Sequence, residues 1–120
     1  MGEAILVIGD HHPVRKALCE RLEMAFPKYQ VVEAAGSQEA EAVVLSASPF
    51  LIVVDIGPPA VERLEVIQRI KAVQPLAKIV VWSIHDWQSY QADALAAGAT
   101  AYVLKEETQD KLLTVLSAML

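Results

Sequence analysis

Cysteines, basic clusters and long apolar runs are scarce in this chain. Cys19 is its only cysteine, so no internal disulfide can form and a reducing, cytoplasmic setting is expected. No apolar run approaches the ~20 residues that a membrane-spanning helix needs. Residues 1–8 lack the basic start and the cleavage site of a signal peptide. The net charge is −5 and Arg15-Lys16 is only a pair, so we expect neither membrane contact nor direct nucleic-acid contact.

Several ligand-binding patterns are missing as well. The glycine patterns of the Rossmann and P-loop folds are absent, which excludes nucleotide-binding enzymes of those types. His11 and His12 suggest a metal site, but no third ligand follows at a spacing typical of zinc. A histidine pair just before a helix, with Pro13 near the first helical position, is more often structural.

What the chain does have is a set of apolar runs, each ending in a polar residue or glycine. Its hydrophobic fraction is 54%, which is high for a soluble domain. Four of the runs are rich in β-branched residues and leucine and predict strands buried on both faces: 4–8, ending at Gly9-Asp10; 50–54, ending at Asp55; 79–82, ending at Ser83; and 101–104, ending at Lys105.

Helical patterns alternate with these runs. The inward faces predicted for the five helices are Val14, Leu18, Leu22 and Ala25; Ala40, Val43, Val44 and Ala47; Leu64, Ile67, Ile70 and Val73; Trp87, Tyr90, Ala94 and Leu95; and Leu112, Leu113, Val115, Leu116 and Met119. Ser37 and Asp86 are expected to be N-caps, and 29–33 a short strand. The pattern predicts one α/β domain over 1–120, a (βα)5 doubly wound, five-stranded parallel sheet between two helical layers.

The carboxyl ends of parallel strands form the ligand crevice of such a sheet, so the residues that end the runs should meet there. Asp10 and Asp55 offer the hard oxygen ligands that suit Mg²⁺. An aspartate in this position can act as a nucleophile and form an acyl phosphate. Lys105 would neutralise charge on a phosphoryl group, and Ser83 would donate a hydrogen bond to it.

The order of these segments resembles the receiver domain of two-component response regulators (CheY-like, flavodoxin-like fold), in particular the LuxR/FixJ-type branch. The family's Asp-Asp-His-Pro-Leu-Val-Arg is similar to residues 9–15, and its Leu-Asp-Ile-Gly-Met-Pro to residues 54–59. Its Val-Val-Leu-Ser-Ala-His-Asp is similar to residues 80–86, and its Ala-Ala-Gly-Ala-x-Gly-Tyr-Leu-Leu-Lys to residues 96–105. The resemblance runs from Ile5 to about Leu120.

The resemblance implies a role for each site residue. Asp55 would accept a phosphoryl group from a sensor histidine kinase, and the Mg²⁺ cofactor would bind Asp10, Asp55 and the backbone carbonyl of Gly57. Lys105 would pair with the phosphate. Ser83 and Tyr102 would move toward the phosphorylated site and reshape the face of the fourth helix, fifth strand and fifth helix. The domain would act in signal transduction rather than as an enzyme.

Four residues depart from the family pattern. Gly9 stands where the family has the first acid of its pair; with a one-residue gap, Asp10 is the first acid and His11 replaces the second. Either alignment removes one carboxylate, so weaker Mg²⁺ binding is expected. Pro58 replaces a methionine and stiffens its loop, and Ile84 occupies a position that is usually small and next to the phosphate.

These departures leave alternatives open. The chain could be a degenerate receiver that acts as an interaction or dimerisation module without phosphorylation. A cobalamin-binding domain of similar fold is rejected, because Arg15 replaces the final glycine of its motif and no Gly-Gly loop follows the fourth strand. A surplus leucine stripe on the last helix (Leu112, Leu116, Leu120) would suggest a homodimer, although burial in the core is favoured. The resembled branch implies a C-terminal DNA-binding output domain outside these residues, and with it a role in transcription.

Overall fold

A computed structural model describes residues 3–56, 60–84 and 88–120, which form a single parallel sheet covered by helices. The elements in chain order are β1 (Ala4–Ile8), α1 (His12–Ala25), β2 (Gln30–Ala34), α2 (Ser37–Ala47), β3 (Leu51–Asp55), α3 (Ala60–Val73), β4 (Lys78–Ser83), α4 (Gln88–Ala97), β5 (Ala101–Leu104) and α5 (Leu113–Met119). A 3₁₀ turn (Lys105–Glu107) and a π-helical turn (Thr108–Leu112) connect β5 to α5.

The strand order is β2-β1-β3-β4-β5, and all four neighbouring pairs are parallel. This is the predicted doubly wound (βα)5 architecture. β3 occupies the centre, and its residues from Leu51 to Val54 have no exposed surface. The chain crosses the sheet between β1 and β3, which places the carboxyl ends of these two strands at the topological switch point where ligands of such folds bind.

The sheet separates two apolar clusters. On one side, α2, α3 and α4 cover even-numbered β1 and β3 residues such as Leu6 and Ile52, with Ile67 of α3 fully buried. On the other side, α1 and α5 cover Ile5 and Val53. Alternation along each strand therefore assigns neighbouring residues to different layers.

Most of the predicted inward residues that the structure describes are buried or partly buried, with four corrections. Ala25 and Ala47 are exposed and Val73 is 49% exposed, because each is the last residue of its helix. Leu95 is 53% exposed, since it lies about 100° around α4 from Ala94, which is fully buried.

Two further details concern helix ends and the last helix. The N-cap of α2 is Gly36 rather than Ser37, and the Glu39 carboxylate accepts a 2.8 Å hydrogen bond from the Ala35 amide beside it. Asp86 and Trp87 lie outside the described residues. Leu112 and Leu116 are fully buried in the core, so they form no surplus stripe.

Within the described ranges, no helix combines the length and the apolar character that crossing a membrane requires.

Candidate functional site

The carboxyl edge of the sheet brings Gly9, Asp55 and Lys105 together. Gly9 follows β1, Asp55 is the last residue of β3, and Lys105 follows β5. Asp55 is in register with Trp82 of β4, and Trp82 with Val103 of β5. Side chains alternate along a strand, so Asp55, Trp82 and Lys105 all lie on the α1/α5 side of the sheet.

An ion pair forms the centre of this site. Lys105 Nζ lies 2.8 Å from Asp55 Oδ1. The side chains are 23% and 12% exposed, so the pair is largely shielded from solvent. A charge-assisted contact of this length orients both groups, and it leaves the Asp55 carboxylate beside a cation that can stabilise added negative charge.

Two residues hold Lys105 in place, and the sequence did not identify either as part of the site. The ammonium lies 4.7 Å from the centre of the Trp82 ring, which is a cation–π contact. Trp82 Nε1 donates a 2.9 Å hydrogen bond to Thr108 Oγ1, which in turn donates to the Lys105 carbonyl at 2.5 Å. Trp82 is the last residue of the predicted strand 79–82, and this position near the carboxyl edge could have indicated a place in the site. The indole also packs in the core.

Gly9 shapes the other side of Asp55. A Cβ atom at Gly9 would lie 3.2 Å from Asp55 Cβ and 3.5 Å from its Oδ2, so the carboxylate packs closely on the Gly9 backbone. The Gly9 amide donates to the Ala34 carbonyl at 3.0 Å. A larger residue here would require Asp55 to shift by a few tenths of an ångström.

A second ion pair stabilises the loop behind Gly9. Arg15 Nη1 donates to the Gly9 carbonyl, and Arg15 Nε donates to Glu33 Oε1 at 2.9 Å. The Arg15 side chain is 11% exposed. The guanidinium therefore ties α1 and β2 to the end of β1 and places a positive charge close to the site.

The remaining predicted residues lie around this centre. Asp10 and His11 are exposed in the loop before α1, where His11 is the N-cap without a side-chain capping hydrogen bond and Pro13 stands in the first turn. Asp10 makes polar interactions within the chain. Ile84 is 67% exposed, so its side chain points away from the core. Gly57 and Pro58 lie outside the described residues.

Ser83 and Tyr102 lie on the opposite side of the sheet from the ion pair. Ser83 has no exposed surface, and Tyr102 packs against the cluster beneath α3 and α4. Both engage in polar or ring contacts within the chain. Ser83 is the last residue of β4 and follows Trp82, whereas Tyr102 is the second residue of β5 and precedes Val103.

The donor set is compatible with a hard divalent cation held at few points. Asp55 and Asp10 supply carboxylates on neighbouring strand ends, which suits an ion that keeps several waters. Among the residues whose placement is described, no group of three His, Cys, Asp or Glu side chains could hold a metal ion. Asp10 and Asp55 are therefore the described residues whose carboxylates would suit a Mg²⁺ ion.

Known proteins share this fold and much of this sequence. DegU of Brevibacillus brevis, a transcriptional regulatory protein, is 34% identical over 110 residues, which cover 91% of this chain and 46% of DegU. The nitrate/nitrite response regulator NarL of Escherichia coli K12 is 30% identical over 112 residues, covering 93% of this chain and 52% of NarL. The chain thus spans about half the length of these relatives.

Solved structures agree with the sequence matches. A LuxR-family two-component response regulator from Aurantimonas sp. SI85-9A1 superimposes with a TM-score of 0.87 at 28% identity, covering 99% of this chain and 85% of that one. The chemotaxis protein CheY4 of Vibrio cholerae has the same fold, with a TM-score of 0.87 at 22% identity and complete coverage of both chains. Residues 5–117 match the model of the response regulator receiver domain, and the chain belongs to that family.

Proposed function

We propose that this receiver domain accepts a phosphoryl group on Asp55 and relays the signal of a histidine kinase. The observation that carries the proposal is the 2.8 Å contact between Asp55 and Lys105 at the switch point of the sheet. Burying a carboxylate at the end of a central strand costs desolvation free energy unless a partner such as Lys105 compensates its charge. Receiver domains are in general signalling proteins rather than enzymes, and they generally bind Mg²⁺ for phosphorylation.

The chemistry requires little more than positioning. An Asp55 carboxylate oxygen attacks phosphorus and a P–O bond forms. The bond from phosphorus to the donor histidine nitrogen breaks, and the imidazole of the kinase leaves as the neutral ring because it takes up one proton from water. Lys105 stays beside the carboxylate and offsets the charge of the phosphoryl oxygens. Mg²⁺, held by Asp10, Asp55 and the carbonyl of Gly57, would neutralise further charge at the same place.

The response would pass through Ser83 and Tyr102. Ser83 is the last residue of β4 and is fully buried on the α3/α4 side of the sheet, so a movement of its hydroxyl toward a phosphate at the strand end would change the packing beneath α4. Tyr102 packs against the same cluster and would follow. The surface formed by α4, β5 and α5 would then present two states to a partner, which is how a local charge change becomes an interaction switch.

The whole protein is proposed to be a cytoplasmic transcription regulator. Its relatives include proteins named as transcriptional regulators and as DNA-binding response regulators of the LuxR family. The DNA-binding role would belong to an output domain outside these residues, with the receiver controlling its activity or its dimerisation.

Intact-mass spectrometry after incubation with Mg²⁺ and acetyl phosphate tests the proposal. The wild-type chain should gain one phosphoryl group, and Asp55→Asn, which keeps the shape of the side chain but not its nucleophilic charge, should gain none. Asp93→Asn is a matched control on the exposed surface of α4 and should be phosphorylated like the wild type.

A mass that stays unchanged at high Mg²⁺ would contradict the proposal and favour the degenerate receiver. Gly9→Asp then asks whether the missing carboxylate is the cause. The added charge should raise Mg²⁺ affinity about tenfold, once Asp55 has shifted to accommodate the new Cβ. Phosphorylation gained by Gly9→Asp alone would identify the natural chain as a receiver that has lost its metal site.

A further inference from the structure

Trp82 makes contacts that packing alone does not require. It is 6% exposed and belongs to the cluster beneath α1 and α5, where its strand neighbours Val80 and Val103 fill the core as aliphatic side chains. An aliphatic residue would serve that purpose equally well. The indole adds two features, a negatively polarised ring face and one N–H donor.

Both the ring face and the indole N–H of Trp82 interact with Lys105, the first directly and the second through Thr108. The ring face lies against the Lys105 ammonium, 4.7 Å from the centroid. The N–H reaches the Lys105 backbone through Thr108, whose hydroxyl accepts at 2.9 Å from Trp82 Nε1 and donates at 2.5 Å to the Lys105 carbonyl. The Thr108 amide also donates to that carbonyl. Lys105 is therefore held at its head and at its base, with Trp82 connected to both.

The need for such a support follows from the length of lysine. Its side chain has four rotatable carbon–carbon bonds, and the loss of rotamer entropy opposes holding the ammonium at one point. The partner Asp55 supplies one directional contact. The ring face supplies a second that consumes no N–H donor, so all three donors of the ammonium stay available for oxygen atoms at the site.

We propose that Trp82 is a positioning residue that keeps the Lys105 ammonium at the Asp55 carboxylate, through its ring face and through Thr108. When an oxygen-rich group is added to Asp55, Lys105 can exchange one oxygen partner for another while it remains against the ring. The role of Trp82 in phosphorylation rests on the proposed function, whereas the contact between Trp82 and Lys105 does not.

Nuclear magnetic resonance tests the contact without any phosphoryl donor. The chain has two indole N–H signals, and the Trp82 signal is the one lost in Trp82→Phe. Lys105→Met should move the ring-proton signals of Trp82, and Thr108→Val should move its N–H signal. Lys111→Met is the matched control, because Lys111 is an exposed lysine of the same segment paired with Glu107 at 3.9 Å. Unchanged chemical shifts of the Trp82 ring protons in Lys105→Met would overturn the proposal, whether or not the protein is phosphorylated.

Phosphorylation rates then test the role. Trp82→Leu should lower the rate with acetyl phosphate about tenfold, and Trp82→Phe, which keeps a ring face, should restore most of it. In a Lys105→Met background, Trp82→Leu should have no further effect, because Trp82 acts through Lys105. Equal losses in both backgrounds would show that Trp82 only packs. If Trp82→Leu does not fold, Thr108→Val carries the same comparison, because it removes the hydroxyl that links Trp82 to the Lys105 carbonyl and should lower the rate only where Lys105 is present. A wild-type chain that takes up no phosphate contradicts the proposed function alone, since the resonance experiment still decides the contact.

Discussion

Cys19 on α1 is buried among apolar side chains and shows how one residue links burial to pH. Its side chain is 4% exposed, and desolvation raises the pKa of the thiol to about 12 from an ordinary 9.0, with Glu33 and Glu23 adding to the effect. The folded state therefore keeps the proton at pH values where the unfolded chain has lost it. The resulting stability is complete below pH 9 and is lost as pH rises from 9 to 12.

We expect this loss to appear in urea unfolding at alkaline pH. Between pH 7 and pH 10 the free energy of unfolding of the wild type should fall by about 1 kcal/mol more than that of Cys19→Ala, which has no ionisable group at this position. The comparison of slopes removes contributions from other groups. Parallel pH profiles for the two proteins would contradict the assignment.

At the site, the sequence identified the charged residues but not their support. Asp55 and Lys105 follow buried strands, and the topology of a parallel sheet brings strand ends together, so their proximity could be predicted. The contact of Trp82 with Lys105 depends on which side of β4 the indole occupies and on its rotamer. Neither the side of the strand nor the rotamer can be predicted from a run of apolar residues in the sequence. The interaction of Arg15 with Gly9 and Glu33 was also missed, because it depends on the rotamer of Arg15 and on the packing of α1 beside β2.

Among the elements, the end of α4 depends on a glycine. Gly98 has a φ of +122°, and a Cβ there would lie 2.9 Å from Lys71 Cγ. The Lys71 ammonium in turn donates to the carbonyls of Pro75 and Ala77, both at 2.9 Å, and so closes the end of α3. Gly98 thus allows two helix ends to pack against each other at the amino-terminal edge of β4 and β5.

Gly98→Ala should lower the free energy of unfolding by about 1–3 kcal/mol, because a side chain at this φ is strained and also meets Lys71. Gly36→Ala is the matched control: Gly36 has an extended φ of −163° and open space around it, so the loss should stay below about 1 kcal/mol. Chemical denaturation measures both. Equal losses would show that Lys71 moves aside and that the backbone at Gly98 carries no strain.

The positions of the helices along the chain could be predicted from the sequence, but the burial of their last residues and the N-cap of α2 could not. The apolar periodicity located all five helices, but the last residue of α1, α2 and α3 continues the inward pattern while lying exposed. Periodicity records the direction of a side chain and not whether other elements extend far enough to cover it. The same limit applies to the N-cap of α2, where Gly36 takes the extended conformation and Glu39 bonds the neighbouring amide from within the helix.

For the molecule as a whole, one sheet supports both apolar clusters, so neither helical layer has a core of its own. We expect a single cooperative unfolding transition. Ile67→Ala on one side and Leu116→Ala on the other, both without exposed surface, should each lower the free energy of unfolding by about 2–5 kcal/mol. Fluorescence and circular dichroism should report the same midpoint in each variant.

Leu76→Ala is the control for these substitutions, because Leu76 is 90% exposed and its loss should cost less than about 0.5 kcal/mol. Midpoints that separate between the two probes in Leu116→Ala, but not in Ile67→Ala, would show that the α1/α5 layer unfolds by itself. The architecture at this scale was predictable, since strand and helix patterns alternate along the whole chain and parallel sheets admit few arrangements.

The last two residues of β4 project to opposite sides of the sheet, Trp82 toward α1 and α5 and Ser83 toward α3 and α4. A single peptide unit therefore connects two layers of the core that share no side chain. A change in the length of β4 would affect both layers. Inserting or deleting one residue in β4 would swap the indole and the hydroxyl between the layers, so the spacing of this strand is under stricter constraint than its composition.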